Sequence, residues 1–204
     1  MTAEPKRPRT RLPGQERKKL ILRCAATVFA RSNFRAAKVA EIAREAGVSE
    51  AMLYKHFPSK KAIFLEVLEH MSRRILVFWE EIARQEPDAL EVLRKMCLVY
   101  YERMVRHPQE LKVQFQAVSE VDDEEIAKRL QKDHRSYLSF IRKVLRRGVK
   151  EGVIRPDVPV AAMAFLFNGG GIMMNMMRLL GFEKEFNQAV VKQLADYFVE
   201  SIRA

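Results

Sequence analysis

Cysteine is nearly missing from this sequence: Cys24 and Cys97 are the only two in 204 residues. They lie far apart, each inside an apolar helical pattern, so two buried, reduced thiols in a cytoplasmic protein are expected rather than a disulfide framework. Glycine and proline are scarce too, at 8 each, which argues against a loop-rich or β-rich fold. No alternating apolar–polar run is long enough to read as a strand. The four histidines, His56, His70, His107 and His134, show neither His-x-x-x-His nor Glu-x-x-His spacing. No Gly-rich phosphate loop or nucleophile elbow appears, and the apolar helix faces supply no matched glutamates for a carboxylate-bridged metal site. An enzyme is therefore not expected, and neither are catalytic residues, a metal or a cofactor. The first fourteen residues are basic and Pro-rich with no apolar stretch behind them, so they do not read as a signal peptide.

What the chain has is apolar residues, helix formers and positive charge. Apolar residues make up 48% of it and charged ones 31%, enough for a real core under a soluble surface. The net charge of +11 is unevenly spread. Residues 1–60 hold 14 Lys and Arg against 5 Asp and Glu, whereas the other 144 hold 23 against 21. A basic first third suits a polyanion, because each neutralised phosphate releases condensed counterions. Anionic lipid is the competing partner for such charge. Val158 to Met177 runs twenty residues without a charge, the length of a bilayer span. It contains Pro159, Asn168, Asn175 and three consecutive glycines and stands alone, so a helix buried in a protein–protein interface is the better account.

Helical periodicity and its punctuation predict an all-α fold of about nine helices. Residues 1–14, with Pro5, Pro8 and Pro13 among Lys6, Arg7, Arg9 and Arg11, read as a flexible basic arm. A first helix is expected over 15–32, and short ones over 38–46 and 49–55. Ser59 is a good N-cap for a long helix to about residue 85. Further helices are expected over 88–106, 109–120, then from the acidic start at 122–125 to a stop at Gly152. Asp157 is expected to cap the uncharged helix, and a last amphipathic helix covers 183–202. The organisation expected is the arm, a DNA-binding domain over 15–60, and a ligand-binding and dimerisation domain over 61–204.

The most informative stretch runs from Lys38 to His56. Val39, Ile42, Ala43 and Ala46 make an inward stripe, and Gly47 follows where the chain needs a left-handed residue. Val48 plugs the angle between two helices, Ser49 caps the second, and Leu53 and Phe57 turn back to the core. This is the tight turn and short second helix of a helix-turn-helix. An αα-hairpin with no nucleic-acid role shares that periodicity. The basic module charge and the cluster Tyr54, Lys55, His56 and Lys60 favour DNA.

Residues 17–68 resemble the TetR family of repressors. The match runs through Ile21-Leu22, Ala25-Ala26, Val28-Phe29-Ala30, Glu41-Ile42-Ala43, Ala46-Gly47-Val48-Ser49, Leu53-Tyr54-Lys55-His56-Phe57 and Pro58-Ser59-Lys60. The resemblance implies a homodimer with two motifs in successive major grooves of a palindromic operator, released when a ligand binds the C-terminal domain. On the matching positions it implies phosphate contacts for Ser49, Tyr54, His56 and Lys60, and Lys38, though it departs from the family pattern, can still bind phosphate. Glu50, Ala51, Met52 and Lys55 stand where bases are read. Departures include Ala37 and Lys38 in place of hydroxyl residues, Glu50 in place of a basic residue, and Asn33 in place of glycine. Asparagine is expected to tolerate a left-handed turn there nearly as well. Few direct base hydrogen bonds and more reliance on DNA shape follow from Glu50, Ala51 and Met52.

Beyond about residue 69 the chain should sense a small molecule. Phe78, Trp79, Tyr100, Met104, Phe115, Tyr137, Phe140 and Met176 are candidate pocket residues, and the Met-rich run suits an adaptable apolar cavity. The scarcity of acids on these faces points to a hydrophobic or amphipathic effector. Phe165, Gly169, Ile172, Met173 and Met177 on the uncharged helix, with Phe186, Val190, Leu194 and Tyr197 on the last, are the expected dimer surface. The sequence thus predicts a ligand-responsive, dimeric DNA-binding regulator, expected to act as a repressor. The alternative is a basic helical adaptor for RNA or an anionic membrane surface.

Overall fold

The computed structural model describes residues 14–204 and folds them into nine α-helices. The basic arm expected over 1–14 lies outside the described residues except for Gly14, which opens α1. α1 (Gly14–Ala36), α2 (Val39–Glu45) and α3 (Glu50–His56) form an N-terminal trio, and α4 (Lys60–Gln85) leads out of it. α5 (Ala89–Arg106), α6 (Pro108–Val118), α7 (Glu124–Glu151), α8 (Val160–Leu179) and α9 (Gln188–Ile202) follow. Among the described residues the one extended pairing is a bridge between Ile154 and Arg203, which ties the α7–α8 junction to the end of α9.

Most helix starts follow from local chemistry, since the first N–H groups of a helix lack intrahelical partners. The Ser59 hydroxyl accepts from the Ala62 N–H at 3.1 Å. Asp88 accepts from the Leu90 and Glu91 N–H groups at 2.8 and 3.0 Å, and Asp123 does the same for Glu125 and Ile126. Two expected boundaries are corrected. Asp157 does not cap α8: Pro159 precedes that helix without a side-chain cap, and the Asp157 carboxylate instead faces Arg155 at 3.6 Å. The last helix begins at Gln188, where Asn187 caps it, so Phe186 lies in the turn before α9 and not on its face.

Asn33 is the second departure from expectation. Its φ of 63° and ψ of 172° interrupt α1 and lie outside the left-handed helical well that asparagine tolerates. That region is nearly glycine-only and costs a side chain about 1–3 kcal/mol. The compensation is local: Asn33 Oδ1 accepts from the Ala36 N–H at 2.9 Å. Asn33→Ala keeps the Cβ strain and loses only that bond, so it should cost about 0.5–1.5 kcal/mol. Asn33→Gly also loses the bond but relieves the strain, so it should be more stable than the alanine variant by about 1–3 kcal/mol. Denaturant midpoints check the pair: an alanine variant as stable as the parent would contradict the compensating bond, and a glycine variant no more stable than the alanine one would contradict the strain.

Three buried clusters organise the interior. The first joins Ile21, Phe29, Ile42, Leu53 and Phe57 of the N-terminal unit to Phe64 of α4, and to Val113 and Ala117 of α6. Packing is thus continuous across residue 60, and the N-terminal unit borrows core from α6. The second cluster stacks the far half of α4 with α5, α7, α8 and α9 around Leu93, Met96, Ile141 and Leu145. The third gathers Tyr101, Met104, Leu111, Met174 and Val191. Gly148 lets α7 approach α5 closely, because a Cβ there would meet Ala89 Cβ at 2.9 Å.

Candidate nucleic-acid interface and effector cavity

α3 is held from beneath and free above. Leu53 and Phe57 are fully buried, while Glu50, Ala51, Tyr54 and Lys55 are exposed, and Met52 and His56 are half-buried. Helical geometry puts the buried pair on one face, so the exposed set forms the opposite one. The Ser49 hydroxyl accepts from the Met52 N–H at 3.2 Å, which fixes the start of the helix. Gly47, at φ 64°, makes the turn between α2 and α3. Glu50 sits in the first turn of α3, where a carboxylate complements the helix dipole. Its presence therefore has a structural reason besides any role in reading bases.

Lys38 and Lys60 are placed differently from one another. Lys38 is exposed at the N-cap of α2 and makes no side-chain cap bond, so its ammonium faces solvent. Lys60 is engaged inside the protein: its ammonium donates to the carbonyls of Arg35 and Ala37 at 2.9 and 3.0 Å. It also stands 5.1 Å from the centroid of the Phe34 ring. An ammonium has three hydrogens, so one remains for an outside partner. Sequence reasoning gave no sign of this internal bond, since the carbonyls it meets lie at and just beyond the C-terminal end of α1.

Charged pairs clasp the N-terminal unit to the turn between α6 and α7. The Arg35 guanidinium donates to both carboxylate oxygens of Glu120, at 2.9 and 2.8 Å. Lys61 bridges Asp123 at 3.1 Å and Glu125 at 2.9 Å. The bond from Lys61 holds the Asp123 carboxyl below its usual range. The acidic start of α7, read from sequence as a dipole match, thus also grips the start of α4.

The C-terminal helices enclose a cavity of about 1120 Å³. Trp79, Tyr100, Phe115 and Tyr137 line it, with the Trp79 and Tyr137 rings edge to face at 5.5 Å. The other four candidate pocket residues lie elsewhere. Phe78 is 45% exposed under the Arg103 guanidinium, 5.3 Å from its ring centre. Met104 is buried in the third cluster, and Met176 is exposed on α8. Phe140 leans on Trp79 and lines a shallow outer groove with Lys128, Lys132 and Lys143. Burial raises the Cys97 thiol to about 11, so this cavity-lining cysteine stays protonated.

Polar groups in the cavity wall went unread in the sequence. Asn175 donates to the Tyr100 hydroxyl oxygen at 2.7 Å and to Gln114 Oε1 at 3.5 Å. Asn168 meets His134 Nδ1 at 3.4 Å, and burial lowers the pKa of that imidazole. Asp133 is 5% exposed and paired with Arg129. The available signal was Asn168 and Asn175 themselves, the only side-chain amides in an otherwise uncharged apolar helix.

α8 is long and apolar enough to cross a membrane, yet it packs along α7 and turns Ala164, Met174 and Asn175 inward. Its outer face exposes Phe165, Leu166, Gly169, Ile172, Met173 and Met176. Leu194 and Tyr197 are exposed on α9, while Met177, Val190 and Phe186 are half-buried. Phe165, Gly169, Ile172, Met173, Leu194 and Tyr197 also border the cavity, so its mouth opens on this apolar face.

Known proteins share both halves of this arrangement. Residues 21–67 match the bacterial regulatory proteins of the tetR family, and residues 86–173 match the tetracyclin repressor-like C-terminal domain. The chain is 28% identical over 190 residues to the uncharacterized HTH-type transcriptional regulator YuxN of Bacillus subtilis (strain 168), covering 92% of this chain and 62% of that protein. It thus spans less than two thirds of that relative's length. It is 26% identical over 152 residues to the HTH-type transcriptional repressor KstR2 of Mycobacterium tuberculosis (strain ATCC 25618 / H37Rv), 74% of this chain and 76% of that one. The transcriptional regulator FadR from Bacillus subtilis, solved in complex with stearoyl-CoA, has the same fold: TM-score 0.80, 18% identity, 90% of this chain and 98% of that chain. With a short, exposed second helix over a buried stripe, a cavity behind it and both domains matched, the chain belongs to the TetR family of helix-turn-helix transcriptional regulators.

Proposed function

We propose that this chain is a dimeric, cytoplasmic repressor that holds a palindromic operator until a hydrophobic or amphipathic molecule fills its cavity. The observation that carries the reading is α6, which serves both ends of the molecule. Gln114, Phe115 and Val118 face the cavity, while Val113 and Ala117 sit in the core of the DNA-facing unit. A ligand that displaces α6 therefore moves α1 and, through Glu120 and Arg35, the orientation of α3. Interiors are too densely packed to absorb such a shift without rearrangement. The apolar faces of α8 and α9 supply the two-fold contact, and that contact sets the spacing of two α3 helices on DNA. The FadR structure solved with stearoyl-CoA supports a large effector with a long apolar chain.

On DNA, Lys38, Ser49, Tyr54, His56 and the spare hydrogen of Lys60 serve as phosphate contacts. Glu50, Ala51, Met52 and Lys55 face the bases. Selection from a random pool of duplex DNA tests the whole reading, since a dimer of this kind enriches a palindrome. Enrichment of no duplex, with retention of RNA or anionic vesicles, would replace it by the adaptor reading. On the selected operator, Lys38→Ala should lower the slope of log affinity against log salt by about 1 and weaken all sequences alike. Lys60→Ala should also lower stability, because it frees the Arg35 and Ala37 carbonyls. A Lys38→Ala slope equal to the parent's excludes a phosphate contact there.

A further inference from the structure

The cavity wall holds two polar stations in an apolar setting, and both stand on α8. At one, Asn175 is 5% exposed, and while its amide nitrogen serves Tyr100 and Gln114, its Oδ1 is buried without a hydrogen-bond partner. A buried acceptor left unmade costs about 1–3 kcal/mol, so the site is primed for a donor. At the other, Asn168 donates to His134 Nδ1. Acceptance at Nδ1 leaves the proton of the neutral imidazole on Nε2, a donor for an incoming oxygen. Tyr137, edge-on to His134 at 5.6 Å, holds the ring.

The two amides are seven residues apart on one helix, which separates them by about 10.5 Å along its axis. Trp79, Met96, Tyr137, Phe167 and Gly171 also line the cavity and offer no free charge. The buried carboxylate that borders the cavity, Asp133, is already matched by Arg129. The other charged lining residue, Arg155, is exposed and already faces Asp157 at 3.6 Å, so an acidic or cationic head group buried among the α8 amides would have no free counter-ion, and unpaired buried charge is costly.

We infer that the effector is an uncharged, elongated apolar molecule. It places a hydroxyl or other neutral donor on Asn175 Oδ1 and a second oxygen, about 10 Å away, at the His134–Asn168 pair. This rests on the reading of the cavity as an effector site and adds the chemistry of what fits it. Fatty acids and amines of the same length are disfavoured because their charge finds no partner.

Displacement of phenylnaphthylamine, an uncharged apolar dye, tests the inference with the full chain. The competitors are α,ω-alkanediols of increasing length, the matching primary alcohols, and the matching fatty acids and amines. Diols should outcompete equal-length alcohols about tenfold, with a maximum where the extended oxygens stand about 10 Å apart. Asn175→Leu and, separately, Asn168→Leu should bring the affinity ratio of diol to equal-length alcohol down to about one, whatever each does to the dye itself. Either variant alone suffices if the other misfolds. Affinity that rises smoothly with carbon number regardless of hydroxyl count, or tightest binding by the acids or amines, overturns the inference and leaves the effector site standing. If neither dye nor any alcohol binds, the effector site itself falls, and the inference with it.

Discussion

Ile172→Arg should turn the protein into a well-folded monomer that has lost operator binding. Ile172 is 44% exposed in the centre of the apolar stripe of α8, between Gly169 and Met176, at the rim of the cavity and outside the three buried clusters, so the fold of one chain tolerates its replacement. In a two-fold interface the same residue occurs on both partners near the axis, and one substitution places two guanidinium groups face to face. Each would be desolvated without a carboxylate, which costs several kcal/mol per buried ion. The exposed apolar faces of α8 and α9 show no unpaired acid that could receive them. Losing the dimer removes the second half-site, and with it the gain of about 10² to 10⁴ that linkage of two weak sites provides. Sedimentation and operator titration should change together while the helical signal and the unfolding midpoint at low protein concentration stay near the parent's. A dimer of unchanged affinity would mean that this face is not the contact.

Phe64→Ala should have the largest effect on stability, about 3–5 kcal/mol. Phe64 is fully buried and meets Phe29 edge to face at 5.0 Å and Phe34 at 4.6 Å. Those contacts are what fasten α1 to α4, and the Lys60 ammonium lies over the Phe34 ring on the same side. The loss takes a large share of the roughly 5–15 kcal/mol that keeps a domain folded. Because the second and third clusters do not include these rings, the C-terminal helices should persist when the N-terminal unit opens. Denaturant unfolding should show an early transition that removes operator binding, followed by a later one close to the parent's. A single transition with a shift below about 1 kcal/mol would contradict the assigned role of the triangle.

The helical order of this chain could be read from its punctuation, because Ser59, Asp88 and Asp123 carry their caps in their own side chains. Asp157 had the same chemistry and was misleading: Pro159 follows it, and the chain turns before α8 starts. The site was harder to read for a different reason. Apolar periodicity says which face of a helix avoids water, but not whether that face meets another side chain or an empty space. Trp79 and Phe78 are adjacent in sequence and equally apolar, yet one lines the cavity and the other lies outside under Arg103. Met104 satisfies the same pattern and fills the third cluster. The polar residues of the cavity were more informative than the apolar ones. Asn168 and Asn175 were visible as oddities in an uncharged helix, but only the fold shows that they face inward toward His134 and Tyr100. The internal bonds of Lys60 could not be read, since its partners are backbone carbonyls at the end of α1, more than twenty positions earlier.

Under the proposed function, because α6 belongs to both the cavity and the core beneath α3, effector and operator binding by the dimer share one free-energy balance. Thermodynamic reciprocity then requires that a molecule weakening the hold on DNA by some factor is itself held more weakly, by that same factor, on protein already seated at its operator. The free dimer is therefore the tighter receptor. Its abundance, and not affinity for the bound form, sets the concentration at which a cell first notices the compound. Extra copies of the operator would raise that threshold without any change in the protein.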